Sequence, residues 1–215
     1  MMKNSAPLSY RLSWLAIWGI AFGLIEAAVV IYLRKIYYPE GFSFPIVIAS
    51  SDISRVELIR EFATIIIMWA VAELSYRSFQ ARLAVFMILF GVWDVVYYAA
   101  LKVLIGWPES LAAWDVLFLL PSPWVGPVWA PIFIALSLII AGILILRRVE
   151  RGDKLKVGYK FWAFEILMGI IIITSFLIPG QVVIKTTLPD TYPWYLLFMG
   201  YFPGLGLFLY QFRNN

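Results

Sequence analysis

Long apolar runs of helical length dominate the chain, separated by short polar or proline-bearing stretches. A hydrocarbon core of about 30 Å is crossed by roughly 20 helical residues. Segments of that size fall near 13–33, 60–77, 83–105, 127–146, 161–179 and 193–212. The stretches 127–146, 166–184 and 191–212 carry no charge. The segment 60–77 is the weakest, because Glu61 and Glu73 enclose an apolar run worth only about 16 Å of helix. Ahead of it, Ser54 with Glu57 reads as a capping box and Asp52 as first-turn negative charge, so this helix is expected to start outside the span.

Composition turns these runs into membrane spans. With 63% hydrophobic and 14% charged residues and a mean hydropathy of +0.87, the chain carries more apolar surface than a soluble domain of its length can bury. Lipid accepts that surface, provided every backbone polar group is satisfied internally. Continuous runs, rather than short alternating ones, select helices over a barrel. The expected fold is an all-α polytopic membrane helix bundle, one integral domain over 1–215 with about six transmembrane helices. Lys3 and Arg11 precede the first run, but no small-residue cleavage site follows cleanly, so the run reads as a retained span.

Charge sets an orientation. Lys3, Arg11, Arg77, Arg82, Arg213 and the cluster from Arg147 through Lys154 and Lys156 to Lys160 fall on one side of the spans. The opposite side holds fewer, among them Arg34, Lys35, Arg55 and Lys102. The positive-inside rule then puts both termini in the cytoplasm of a cell whose inner membrane the chain spans. The basic cluster fits anionic lipid heads better than nucleic acid. The expected partners are membrane lipids and other membrane-protein subunits, with no nucleic acid.

The chain has no Cys and no His. Disulfides, thiolate catalysis, ordinary zinc sites, His-ligated haem and every Ser-His arrangement are thereby excluded. No metal and no cofactor are expected.

An internal repeat relates the first and third spans. Phe22-Gly23-Leu24-Ile25-Glu26 is followed by Arg34 and Pro39-Glu40, and Phe90-Gly91-Val92-Trp93-Asp94 by Lys102 and Pro108-Glu109 at nearly the same spacings. Glu165 and Pro179 repeat the spacing of Asp94 and Pro108 without the Phe-Gly step. Tandem two-helix repeats over 13–80, 83–148 and 161–213 are the simplest plan, with coincidence as the alternative.

The candidate site follows from the acids. A carboxylate at membrane depth is costly and by default marks function. Glu26 and Asp94 are the two such groups in the repeat, and Tyr97 and Tyr98 follow Asp94 at the helical spacing that shares its face. The competing reading is that both acids pair with Arg or Lys of neighbouring helices as polar glue. Gly19, Gly23 and Ala27 form a small-residue stripe for close helix packing. Arg34 and Lys102 are expected to snorkel to headgroups, and Glu73 to pair with Arg77.

The stretch 106–131, with Trp107, Trp114, Trp124, Trp129 and five prolines, is too apolar for a solvated loop and too proline-rich for one helix. A short interfacial or re-entrant helix near 110–120 is expected. Its tryptophans read either as an aromatic belt or as the wall of an outward pocket with Trp114, Glu109 and Asp115. The loop 36–53 has the same character and is expected to join it in a cap. Gly200-Tyr201-Phe202-Pro203-Gly204 is expected to kink or break the last helix.

Three functions fit this pattern. The first is a small-solute, proton- or cation-linked transporter or channel using Glu26 and Asp94. The second is an accessory or assembly subunit of a membrane complex. The third is a membrane enzyme acting on a lipid-borne substrate, which no nucleophile or phosphate motif supports, so catalytic residues stay unassigned.

Overall fold

The computed structural model describes residues 6–44, 51–153, 155–185 and 191–214. Lys3, Lys154 and the 45–50 portion of the 36–53 loop, and with it the expected cap, lie outside the described residues. The helices are α1 (Leu8–Tyr37), α2 (Ser51–Ser75), α3 (Phe79–Ile105), α4 (Trp129–Glu150), α5 (Tyr159–Lys185) and α6 (Trp194–Asn214). All but α2 are long and apolar enough to cross a membrane. The chain is a multi-pass helical membrane protein, and large apolar side chains such as Ile17, Val103, Ile140 and Ile170 are exposed, as lipid contact requires.

The helix ends follow the local sequence. The Ser78 side chain accepts from the Ala81 N–H at the start of α3, and Gly106 closes its end with a φ of 74° that L side chains rarely adopt. Helix α2 begins at Ser51, one turn before the expected capping box, so Ser54 lies inside it. Asp52 does stand in its first turn, but Glu57 binds Arg60 at 2.8 Å instead of reaching back to a cap. Glu73 likewise pairs with Arg82 at 2.8 Å rather than with Arg77. Arg82 also donates to the carbonyls of Tyr76 at 3.0 Å and Arg77 at 2.8 Å. A guanidinium with five donors gathers the orphan carbonyls of the α2–α3 turn in a way no i to i+4 pattern reveals.

The chain divides into two compact units. The first comprises Met1–Gly41, Ala63–Ala113 and Val128–Asp153, and so contains α1, most of the second half of α2, α3 and α4. Its helices touch through glycine. A Cβ on Gly19 or Gly23 would meet Val92 or the Trp93 carbonyl and Val96 of α3, and one on Gly91 would come within 2.5 Å of the Ala135 carbonyl of α4. Gly142 of α4 faces the Ala84 carbonyl in the same way at 2.7 Å. The small-residue stripe of α1 therefore packs against α3 as its spacing implies. Where no apolar solvent effect drives association, such backbone approach supplies the van der Waals contact that holds spans together.

The second unit comprises Phe42–Phe62, Trp114–Pro127 and the chain from 154 onward, with the first half of α2, α5 and α6. Here the expected short helix near 110–120 is replaced by a β-hairpin, β1 (Trp114–Phe118) and β2 (Trp124–Pro127), antiparallel with a register shift between Val116 and Phe118. The physical reason lies in composition. Trp-Asp-Val-Leu-Phe favours extended backbone, and the surrounding prolines remove donors that a helix would need. A hairpin satisfies the backbone across its two strands with only a few residues. Helix α6 runs unbroken through Pro203, and α5 through Pro179 to Lys185. The break expected at Gly200–Gly204 is absent from α6 because Gly200 seats against the Met168 carbonyl and Ile172 of α5, and packing holds the backbone helical around the proline. Gly180 lies against the Pro123 carbonyl, fixing the hairpin on α5.

Candidate functional site

Glu26 is at 6% exposure on the buried face of α1, together with Gly19, Gly23, Ala27, Ile31 and Arg34. These positions recur at the three- and four-residue steps of one helical stripe. Thr64 of α2, itself buried, donates its hydroxyl proton to Glu26 Oε1 at 3.2 Å. The buried face of α2 continues from Thr64 through Met68 to Ala72. A carboxylate inside an apolar span is thus met by a hydroxyl from a second helix.

Arg34 stands two turns further along the same stripe, about 12 Å up the helix from Glu26. The expectation of snorkelling fails for it: Arg34 is 7% exposed, and its guanidinium lies 3.6 Å from the Trp107 ring centroid. Trp107 also packs on a core of Ala27, Ile31, Ala100 and Leu101. A delocalised, weakly hydrated cation on an aromatic face is among the least costly ways to bury positive charge. Lys102 is exposed at the end of α3. Its ammonium donates to the carbonyls of Gly106 at 3.2 Å and Pro108 at 2.8 Å, closing the end of α3.

Asp94 is half-buried on α3. Tyr98 is buried, its ring 6.3 Å from Trp107 and 5.0 Å from Tyr97. Tyr98 also borders a partly open cavity of about 340 Å³ whose polar walls are Lys102, Glu109 and Ser110. Glu109 is exposed there. Trp114 and Asp115 are not among its lining residues. They belong to β1 in the second unit, where Asp115 is 1% exposed opposite Gly126, and Trp114 packs edge-on to Tyr192. Glu109 lies in the first unit, and Trp114 and Asp115 in the second.

Two of the tryptophans meet neighbouring rings. Trp124 stacks on Phe176 at an interplanar angle of 11°, and Trp129 meets Phe133 edge-on. Tyr192 shares a hydrogen bond with the fully buried Ser175 at 2.7 Å, and its ring lies on Phe176.

Three further arrangements escaped the sequence reading. At the basic end of the first unit, Arg11 pairs with Glu150 at 2.6 Å and donates to the Tyr76 hydroxyl. Arg11 and Glu150 lie just beyond the apolar runs 13–33 and 127–146. The guanidinium holds the Glu150 carboxyl below the usual range. In the second unit, buried Glu61 accepts the Leu119 N–H through both carboxylate oxygens at 2.9 and 3.1 Å. Glu165 of α5 places Oε2 3.2 Å from the Cβ position of Gly204 in α6, a close approach of the carboxylate to the glycine. Glu61 and Glu165 carried a signal in the sequence, as the acid that interrupts the second run and the acid of the third repeat. Their partners, like the members of the Arg11 cluster, lie far apart along the chain.

No group of His, Cys, Asp and Glu suited to a metal ion occurs among the described residues. No family model matches the chain, and neither a curated protein nor a solved structure does.

Proposed function

We propose that the protein is a proton- or cation-linked transporter of a small solute, residing in the inner cell membrane with both termini in the cytoplasm. The observation that carries this reading is the burial of Glu26 inside α1 against the Thr64 hydroxyl. A carboxyl group inside an apolar span that accepts a hydrogen bond from a neutral hydroxyl is a place where a proton or a small cation can be bound. Arg34, fixed on the same stripe beside Trp107, would present a constant positive charge toward the end of α1. Asp94 is the equivalent acid on α3. Helix α2 is the sixth crossing in this reading, its charged positions turned partly inward, and an even number of crossings agrees with the charge asymmetry.

Reconstitution into liposomes carrying a pH-sensitive dye tests the proposal. Wild type is expected to dissipate or exploit an imposed pH gradient, Glu26→Gln to lose that flux while keeping its thermal stability, and Thr64→Val to shift its pH profile. Absence of flux in wild type, with a stable membrane-protein partner that co-purifies, would replace transport with the accessory role.

A further inference from the structure

The cavity beside the end of α3 has a polarity gradient. Val95 and Ala99 of α3 and Ile132 of α4 form its apolar part, and Lys102, Glu109 and Ser110 its polar part. Val95 and Lys102 are separated by about 10 Å along the helix. Its volume of about 340 Å³ falls at the lower end of the small-ligand range of about 300–1,000 Å³. Val103 and Leu104, next to Lys102, are among the exposed large apolar side chains, so this end of α3 carries apolar surface suited to lipid.

The charges in the polar part are complementary to one kind of headgroup. Lys102 has three ammonium donors and spends two on the carbonyls of Gly106 and Pro108. The third is available to an anionic oxygen. Glu109 is exposed, and its carboxylate has no hydrogen bond or ion pair among the described residues.

We propose that this cavity binds an aminophospholipid, with the lipid phosphate on Lys102, its primary ammonium on Glu109 and the start of an acyl chain along Val95, Ala99 and Ile132. A purely anionic headgroup meets Glu109 as a like charge. A quaternary ammonium offers it no N–H. A primary ammonium satisfies both partners with charge-assisted hydrogen bonds.

The test is native mass spectrometry of the full chain released from nanodiscs of equal parts phosphatidylethanolamine, phosphatidylcholine and phosphatidylglycerol. Wild type is expected to retain phosphatidylethanolamine about tenfold over either competitor. Glu109→Gln should bring that ratio close to one, and Ile132→Trp, which fills the apolar part, should reduce retained lipid of every class. Glu109 makes no contact that holds the fold, so its variant reports on binding. Equal retention of the three headgroups by wild type, or an undiminished preference in Glu109→Gln, would overturn the proposal.

Discussion

The guanidinium of Arg34 lies 3.6 Å from the centre of the Trp107 ring, tying the last turn of α1 to the segment that follows α3. Trp107 is also part of the apolar packing around Ala27, Ile31, Ala100 and Leu101. Replacing it removes an aromatic surface and the face that carries a buried cation.

Trp107→Leu is therefore expected to cost about 2–3 kcal/mol, with roughly 1–2 of it from the lost cation–π contact. Trp107→Phe, which keeps a weaker ring face, should recover part of that loss. Equilibrium unfolding in detergent measures both, and equal stabilities for Trp107→Leu and wild type would show that the stacking holds nothing.

Glycine position, rather than glycine content, decides the packing of the first unit. A Cβ on Gly91 would stand 2.5 Å from the Ala135 carbonyl and 2.6 Å from Ile139, whereas one on Gly169 of α5 meets nothing within 4 Å. Gly91→Ala is expected to force α3 and α4 apart and destabilise by about 2 kcal/mol or more. Gly169→Ala should be neutral or stabilising by up to about 1 kcal/mol, because alanine is the better helix former. Thermal unfolding of the two variants side by side checks the contrast, which fails if they shift alike.

Acid should loosen the Arg11–Tyr76–Glu150 cluster. The folded carboxyl of Glu150 titrates below its ordinary value because Arg11 pairs with it. Its contribution is thus present above the unfolded value of about 4.5 and disappears as pH falls through the lower folded one. The Glu150 pair is part-exposed, so the acid effect is small, about 0.5–1 kcal/mol. Melting temperature followed from pH 7 to pH 3 should fall less steeply in Glu150→Gln than in wild type. Identical slopes would remove Glu150 from the acid response.

The span pattern was readable because lipid imposes it. Residues 13–33, 83–105 and 193–212 form helices wherever they sit, since their backbones have no other donor or acceptor available in hydrocarbon. Gly19 and Gly23 disclosed close packing for a related reason: only small side chains let two spans approach. The stretch from Trp107 to Pro131 was misjudged because its apolar character says that it is sheltered without saying how its backbone bonds close. Pairing of Trp114–Phe118 with Trp124–Pro127 is a choice between two local solutions, and contact of the hairpin with α5 favours the sheet. Arg34 was misassigned because a basic residue near a helix end normally reaches water. Whether it does depends on Trp107, which is brought there by the chain reversal at the end of α3.

Composition and the lengths of the apolar runs by themselves determine that this is a helical membrane chain, and that Glu26 and Asp94 fall within long apolar helices. Those properties are local, because each follows from the transfer of one segment from water into lipid. Tertiary structure alone decides which groups meet the acids and the cations: Thr64 for Glu26, Trp107 for Arg34, the Leu119 amide for Glu61 and the Arg11–Tyr76 pair for Glu150. Each of those contacts joins different elements at hydrogen-bond or ring-stacking range. That geometry is fixed by where glycine lets the helices cross and by which chain reversal returns a side chain to the bundle, and a linear pattern of polarity encodes neither.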